Sequence, residues 1–408
     1  MSKTHTKKYE SLIAAMGNIM EWYNFALFMP FLHVLSKEFF PCEDTVQRDV
    51  LSFLAMSVGL FMRPFGAAIL GPVGDKFGRP RAIACAGLLM AIPTILIGLL
   101  PNYSQIGIYA PISLLFLRAI QGISLGGEYT AAMVHLVEKA PAHRRAFFGC
   151  LSDVGCQVGV LLGGQALICL YSFFSLEEIY FFTWRIPFLF GVLQIPFIFC
   201  MPKTDDIPQK KRETLLISLI KYKREVGCTM AITSFSAVGF YTLLTFLPYY
   251  LVNRHLLTLK EATSCSVLSS LLITIVILVG GYLADSYSKK GFMISGIVGV
   301  SVIVYMMFLL KNTSYEQWLT LQLLYGFFIG LYFSSRAAFL AQSFPSTVRC
   351  TAVSVSLSCS QAIFGGLTPL VMDHLNKLSP SLAVIPATIV AIVAIYAVRN
   401  IIAEKHDV

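Results

Sequence analysis

Roughly a dozen stretches of the chain consist of about twenty predominantly apolar residues, the length that crosses the hydrocarbon core of a bilayer. Of the 408 residues, 56% are hydrophobic and 13% are charged, so polar side chains are too few to cover a water-soluble protein of this length. Backbone amides in lipid must find their hydrogen bonds within their own segment, which makes such segments helical. The sequence therefore predicts an all-α polytopic membrane protein with twelve transmembrane helices.

The apolar stretches form two groups of six, separated by a short basic segment. The predicted spans are 11–36, 49–71, 82–100, 106–136, 146–171, 183–201, 226–252, 262–284, 292–310, 316–341, 350–373 and 381–403. This arrangement predicts an N-terminal six-helix bundle at 1–201, a basic cytoplasmic linker at 202–225 and a C-terminal six-helix bundle at 226–408.

Lysines and arginines are concentrated in alternate loops, as the positive-inside rule requires of cytoplasmic loops. They include Lys3, Lys7 and Lys8, then Lys76, Arg79 and Arg81, then Lys139, Arg144 and Arg145, and in the linker Lys203, Lys210, Lys211, Arg212, Lys221, Lys223 and Arg224. We therefore expect both termini and the linker to face the cytoplasm. Membrane orientation explains the net charge of +9, and no nucleic-acid partner is expected.

Two loop motifs occur once in each group of six spans. Gly71–Asp75 ends the second span and Gly281–Asp285 ends the eighth, and their aspartates are 210 residues apart. The turns Pro141–Arg145 and Pro345–Arg349 follow the fourth and tenth spans, and their arginines are 204 residues apart. Two motifs that recur at nearly the same separation indicate an internal repeat, as in transporters built from two related halves. The repeat predicts two pseudo-symmetric six-helix bundles.

The loop between the second and third spans carries a specific signature. It reads Gly71-x-x-x-Asp75-Lys76-x-Gly78-Arg79-x-Arg81. This spacing resembles the helix 2–3 motif of the major facilitator superfamily, whose two six-helix bundles work by alternating access. The resemblance implies a latch that holds one state of the transporter. The residues expected to form it are Gly71, Asp75, Gly78, Arg79, Glu138, Arg145, Asp285 and Arg349.

Further segments resemble the metabolite:proton symporter branch, and most closely its proline/betaine (osmolyte) proton symporters. They are Gly17-Asn18-x-x-Glu21-Trp22-Tyr23-Asn24-Phe25, Arg63-Pro64-Phe65-Gly66, Gln121-Gly122-x-Ser124-x-Gly126-Gly127-Glu128 and Trp184-Arg185-Ile186-Pro187-Phe188. The resemblance implies a bacterial inner-membrane symporter that couples uptake of a small carboxylate-bearing or zwitterionic metabolite, such as proline, a betaine or an organic acid, to a proton. The expected partners are the substrate, the proton and the lipid bilayer, with a monomer as the functional unit and neither cofactor nor metal.

Two positions bear on proton coupling and on the direction of transport. The family usually has an aspartate where this chain has Asn24, an amide that cannot titrate. In the fifth span, Gly155, Gly159, Gly163 and Gly164 form a glycine seam that is expected to pack closely against another helix, and Val160 follows its glycine at 159. Antiporters of the superfamily have a proline after that glycine, so Val160 favours uptake over efflux.

Ionisable side chains inside the spans are costly, and each is a candidate site residue. Burial favours the neutral form of a carboxyl group, so a buried acid is suited to carry a proton. The candidates for proton coupling are, in order, Glu21, Asp153 and Glu128. A guanidinium can hold a carboxylate through charge-assisted bonds, and aromatic faces can hold a quaternary ammonium. The candidate substrate-binding residues are Arg118, Gln121, Asn24, Trp22, Tyr23, Tyr241, Tyr325 and Arg336.

Other interpretations stay open. The buried charges can pair with one another and serve only helix packing. Because Asn24 replaces the family's acid, a proton-independent facilitator or exchanger of the same solutes is an alternative, and a non-transporting membrane receptor is a further one. The sequence contains no nucleophile–base arrangement, metal-ligand spacing or phosphate-binding loop, so an enzyme is not expected.

Overall fold

A computed structural model describes residues 3–40, 51, 55, 57–200, 215–309, 314–379, 382 and 384–401. Its main helices are α1 (Lys3–Ala26), α2 (Leu32–Phe39), α3 (Arg63–Phe77), α4 (Arg79–Leu99), α5 (Tyr109–Lys139), α6 (Arg145–Phe173), α7 (Ile179–Cys200), α8 (Lys223–Tyr241), α9 (Leu259–Ala284), α10 (Lys289–Leu309), α11 (Tyr315–Gln342), α12 (Arg349–Leu378) and α13 (Val384–Asn400). Eight helices in the described part are long and apolar enough to cross a membrane. Of the predicted linker 202–225, residues 202–214 lie outside the described ranges.

The first predicted span is divided into two helices. α1 ends at Ala26 and α2 begins at Leu32, with turns between them. Pro30 lies in this break, where it has no N–H to donate and disfavours a helical backbone in the preceding residue. The continuous helix expected over 11–36 is therefore wrong at this point, because an apolar run does not reveal where its backbone bonds are interrupted.

The chain divides into two compact units. The first unit contains residues 1–135 and 155–209, and the second contains residues 136–154 and 210–408. The second unit thus includes the end of α5 and the start of α6, which belong to the N-terminal part of the sequence. The six-plus-six division with boundaries at 201 and 226 stays a prediction based on the repeat.

In the first unit, α6 packs against α1 through the glycine seam that the sequence predicts. A Cβ added to Gly159 would lie 2.4 Å from the carbonyl oxygen of Ile19. One added to Gly163 would lie 3.0 Å from the Cβ of Ala26. Side chains at these positions would force the helices apart, so the close-packing role of the seam is confirmed.

The same unit brings α5 against α3 through two further glycines. A Cβ on Gly122 would lie 2.2 Å from the carbonyl oxygen of Gly59, in the helical turn before α3. A Cβ on Gly126 would lie 2.2 Å from the carbonyl oxygen of Arg63. The two backbones are therefore nearly in contact along one full helical turn.

The second unit repeats this crossing between α11 and α9. Gly326 and Gly330 stand 204 residues after Gly122 and Gly126. A Cβ on Gly326 would lie 3.1 Å from the carbonyl oxygen of Ser269, which stands 210 residues after Gly59. A Cβ on Gly330 would lie 2.8 Å from the Cβ of Val276. The separations of 204 and 210 residues found for the loop motifs thus also relate the helix contacts of the two units. The repeat is therefore present in the packing of the helices as well as in the sequence.

Replacing Gly122 with alanine tests this crossing. The added methyl has no room beside Gly59, and overpacking of this kind costs about 1–3 kcal/mol. We expect a lower unfolding temperature for Gly122→Ala in detergent. Gly164→Ala is the control, since a Cβ there meets nothing within 4 Å. Equal unfolding temperatures for the two variants would contradict the packing.

Candidate functional site

Arg118 of α5 forms a buried cationic group in the first unit. Its Nη1 donates to Oε1 of Gln121 at 2.8 Å, and Nε2 of Gln121 donates to Oγ1 of Thr94 on α4 at 2.7 Å. The guanidinium carbon lies 4.7 Å from the ring centre of Phe25 and 4.2 Å from that of Phe28. Two aromatic faces and a side-chain amide hold this guanidinium in one orientation. A planar cation placed in this way is suited to bind a carboxylate.

A cluster of two acids and one base lies in the same unit. Glu21 of α1 and Glu128 of α5 are 0% and 1% exposed. Their carboxyl groups interact electrostatically with each other, and Glu21 also interacts with Arg63 of α3. Neither carboxyl oxygen of Glu21 has a hydrogen-bond partner among the described residues. The three groups carry a net charge of −1 when all are ionised, and one bound proton makes the cluster neutral.

Gln194 of α7 joins this cluster to Asn24. Nδ2 of Asn24 donates to Oε1 of Gln194 at 2.7 Å. Nε2 of Gln194 donates to the two carboxyl oxygens of Glu128 at 3.2 and 3.4 Å. Gln194 was not predicted as a site residue from the sequence, since it is not ionisable and lies outside the segments that resemble the symporter family. The available signal was an amide in the middle of the apolar segment 183–201.

In the second unit, Asp153 and Arg336 form a buried ion pair. Nη2 of Arg336 lies 2.5 Å from Oδ1 of Asp153, and both side chains are at most 5% exposed. Nη1 of Arg336 also donates to Oγ of Ser236 at 3.0 Å. The structure thus brings together two residues that the sequence predicts to have separate roles, Asp153 in proton coupling and Arg336 in substrate binding. Those roles stay predictions.

The loop that follows α3 is held by short local contacts. The side chains of Asp75 and Arg79 form an ion pair at 2.6 Å, and Nη1 of Arg79 also donates to the carbonyl oxygen of Gly74 at 2.6 Å. Gly78 separates α3 from α4 with φ of 102°, in the left-handed region that favours glycine. Gly71 is buried in α3. These contacts explain the glycine and charge spacing of the signature.

Other residues predicted for the latch make contacts within the second unit. Glu138 pairs with Arg349 at 2.6 Å, and the arginine side chain is fully buried. The carboxylate of Asp285 accepts hydrogen bonds from the backbone N–H groups of Ala146 and Phe147 at 2.7 and 3.0 Å. These amides follow Arg145 in the first turn of α6, where free N–H groups and the helix dipole favour an anion. The role of these contacts as a latch stays a prediction.

The predicted aromatic residues are engaged with the protein itself. The hydroxyl of Tyr23 donates to the carbonyl oxygen of Pro187 at 2.9 Å. The hydroxyl of Tyr325 donates to the carbonyl oxygen of Gly239 at 2.7 Å. The ring of Trp22 lies 5.8 Å from the guanidinium carbon of Arg63, and the ring of Tyr241 lies 5.7 Å from that of Phe240. Their role in substrate binding stays a prediction.

Gln322 of α11 is a second buried glutamine that was not predicted from the sequence as a site residue. It stands 204 residues after Arg118, so it takes the place of that cation in the second repeat. Its side chain is fully buried, and neither of its amide atoms has a hydrogen-bond partner among the described residues. The repeated framework therefore presents a cation in one unit and a neutral amide in the other.

Helices of membrane-crossing length with ion pairs and amides buried among them define a polytopic membrane protein with a polar interior. The model of the Major Facilitator Superfamily matches residues 12–369 and, in a second match, residues 229–406. The chain belongs to the major facilitator superfamily, and it is a multi-pass membrane transporter. The expected fold of two related six-helix halves, twelve helices in all, is thereby confirmed.

Relatives and solved structures agree with this assignment. A putative proline/betaine transporter of Staphylococcus aureus (strain COL) is 33% identical over 90% of this chain and 82% of its own length. The proline/betaine transporter of Escherichia coli (strain K12) is 30% identical over 94% of this chain and 80% of its own. A structure of the proton:xylose symporter XylE has a TM-score of 0.77 at 16% identity, covering 98% of this chain and 95% of its own. The resemblance to proline/betaine transporters is confirmed.

Replacing Asp153 with asparagine tests the buried pair. The substitution leaves the Arg336 charge without its carboxylate, and breaking a buried pair costs about 3–5 kcal/mol. We expect a matching loss in the free energy of unfolding in mixed detergent micelles. A double variant that also carries Arg336→Gln should lose less than Asp153→Asn alone.

The control is Asp373→Asn, which breaks the partly exposed ion pair between Asp373 and Lys377. Exposed pairs contribute about 0–1 kcal/mol. If Asp153→Asn were as stable as this control, the buried pair would not hold α6 and α11 together.

Proposed function

We propose that the chain is a proton-coupled symporter that takes up a small carboxylate-bearing or zwitterionic metabolite by alternating access. The observation that carries the proposal is that one unit contains both a buried, oriented guanidinium and a buried acid cluster. Relatives whose names specify proline/betaine transport support this substrate class. Proline, betaines and short organic acids share the carboxylate that the site would recognise.

Arg118 is the group that we assign to the substrate carboxylate. Phe25 and Phe28 cover its flat faces, and Gln121 occupies one edge of the fork. A carboxylate that lies in the plane of a guanidinium can accept two parallel N–H···O bonds from it, and this geometry gives specificity as well as affinity. Gln121 keeps its second bond to Thr94 and so stabilises the orientation of Arg118.

The pair of Glu21 and Glu128 is the group that we assign to the proton. The net charge of their cluster with Arg63 changes from −1 to 0 when one proton binds, which removes an uncompensated buried charge. Asp153 is the less favoured carrier, since a direct ion pair with Arg336 already balances its charge. The proton would thus enter the unit that also holds Arg118.

Alternating access requires contacts that can break and form again. We propose that Glu138 with Arg349 and Asp285 with the start of α6 are such contacts, since each ties the segment 136–154 to the remainder of its unit.

The protein would function as a monomer in the inner membrane of a bacterium. Both termini would lie in the cytoplasm, as the loop charges favour.

Reconstitution into proteoliposomes tests the proposal. Labelled L-proline and glycine betaine should accumulate when an inward proton gradient is imposed and should only equilibrate without one. A proton-independent facilitator or exchanger, which Asn24 keeps as an alternative, would give the same uptake with and without the gradient. Binding without any uptake would instead favour a receptor.

The variant Glu21→Gln tests the proton site. An amide cannot carry the proton, so we expect exchange of labelled for unlabelled substrate to persist while gradient-driven accumulation fails. Glu178→Gln is the matched control, because Glu178 is an exposed acid just before α7. Accumulation by Glu21→Gln at the level of this control would refute the assignment.

The variants Arg118→Ala and Arg118→Lys test the carboxylate site. Hydrogen bonds to a charged group contribute about 1.5–3 kcal/mol, so Arg118→Ala should raise the apparent KM of uptake roughly ten- to a hundredfold. Arg118→Lys keeps the charge without the fork and should give a smaller increase. Arg399→Ala, at an exposed arginine in the last turn of α13, should leave the KM unchanged. An unchanged KM for Arg118→Ala would place Arg118 in a purely structural role.

A further inference from the structure

The contacts of Gln194 form a linear chain of hydrogen bonds with a definite direction. Asn24 donates to Gln194, Gln194 donates to Glu128, and the carboxylate of Glu128 ends the chain as an acceptor. At the other end, Oδ1 of Asn24 is buried and has no hydrogen-bond partner among the described residues. The free end of the chain is therefore an acceptor when Glu128 is ionised.

Protonation of Glu128 adds an O–H at the closed end of the hydrogen-bond chain, and this donor needs an acceptor, while the other carboxyl oxygen can still accept a bond. A protonated carboxyl has an O–H to donate, whereas the NH₂ group of an amide accepts no hydrogen bond. Both bonds survive if the two amide groups rotate by half a turn: Glu128 then donates to Oε1 of Gln194, and Nε2 of Gln194 donates to Oδ1 of Asn24. The free end now presents Nδ2, a donor.

The free end lies beside the group that orients Arg118. A Cβ added to Gly191 of α7 would lie 3.4 Å from Oδ1 of Asn24 and 3.1 Å from the Cβ of Thr94. Thr94 in turn accepts the hydrogen bond of Gln121, the residue bound to Arg118. Oδ1 of Asn24 and the side chain of Thr94 therefore both lie against Gly191.

We propose that Asn24 and Gln194 form an amide relay that reports the protonation of Glu128 to the carboxylate of the substrate. When Glu128 is ionised, the relay presents an oxygen that repels a carboxylate beside Arg118. When Glu128 is protonated, the relay presents an N–H that binds one. The proton and the substrate then favour each other's binding, which is the thermodynamic requirement of symport. Gln194 acts in this relay as a positioning residue.

The relay gives position 24 a physical role in this chain. An aspartate there could present a donor only after binding a proton of its own, whereas an asparagine presents either an acceptor or a donor by rotating its amide. The charged groups that face Glu128 from other helices are Glu21 of α1 and, beside Glu21, Arg63 of α3. They affect when Glu128 binds its proton, whereas the relay transmits that event.

The first test needs no substrate and is made on the full-length protein in lipid nanodiscs. Infrared difference spectra between two pH values would follow the carboxyl band that Glu128→Gln removes. Carbon-13 labelling of asparagine side-chain carbonyls would identify the band that Asn24→Leu removes. We expect the Asn24 band to shift with the same midpoint as the Glu128 band, and Gln194→Met to abolish the shift of Asn24 while Glu128 still titrates.

Gln157→Met is the matched control, since Gln157 is another buried glutamine of the same unit and should leave the shift of the Asn24 band intact. An Asn24 band that does not respond to Glu128 in the wild-type protein would overturn the relay. So would an Asn24 response that persists in Gln194→Met.

The second test separates the relay from the proposed function on which it rests. Binding of labelled L-proline and glycine betaine would be measured across the pH range. In the wild type, affinity should rise roughly tenfold or more as Glu128 becomes protonated, and in Gln194→Met binding should persist with that increase lost. A wild-type pH dependence in Gln194→Met would overturn the relay even if transport is proton-coupled. Failure of both solutes to accumulate in proteoliposomes would overturn the proposed function, while the infrared result still decides the relay.

Discussion

The free-energy cost of burying charge inside a helix bundle organises the polar interior of this protein. A single uncompensated charge in such a place is strongly unfavourable, so each buried ionisable group is expected to lie near an opposite charge, an amide or a backbone dipole. Arg118 lies against two aromatic faces and an amide, and Arg336 against Asp153. The cluster of Glu21 and Glu128 is the site to which we assign the transported proton, and one proton makes its charge with Arg63 neutral.

Glycine contacts provide the framework on which these groups are placed. Gly122 and Gly126 bring α5 against α3, and Gly326 and Gly330 bring α11 against α9 with the same spacing. Because the helix backbones are nearly in contact, a side chain one turn away has a defined position. The second repeat keeps the glycines and replaces the charged groups: Gln322 takes the place of Arg118, and Tyr332 that of Glu128. That position therefore carries a phenol in place of a carboxyl group, and the hydroxyl of Tyr332 donates to the backbone carbonyl of Ile232.

This difference between the repeats concentrates the proposed proton and carboxylate chemistry in one unit. A shared framework with different side chains lets each half contribute a different type of interaction to the transport cycle. Asp153 with Arg336 shows the same principle in the second unit, where a buried acid is balanced by a base from a helix 183 residues later in the chain. Asp153 with Arg336 and Glu128 with Gln194 are paired across helices, whereas Arg118 donates to Gln121 of its own helix.

The class of protein, the family, the internal repeat and most helix limits follow from the sequence, because apolar length, loop charge and repeated motifs are local properties of the chain. The sequence shows a proline at position 30, but it does not show that α1 ends before it, because the residues on both sides are apolar. Glu21, Arg118 and Glu128 could be named from their type and depth. Only the tertiary structure showed that Gln194 joins Asn24 to Glu128, and that Arg349 is the partner of Glu138. These contacts join residues 66 to 211 positions apart, and such pairings depend on which helix faces meet, a property that no single helix encodes.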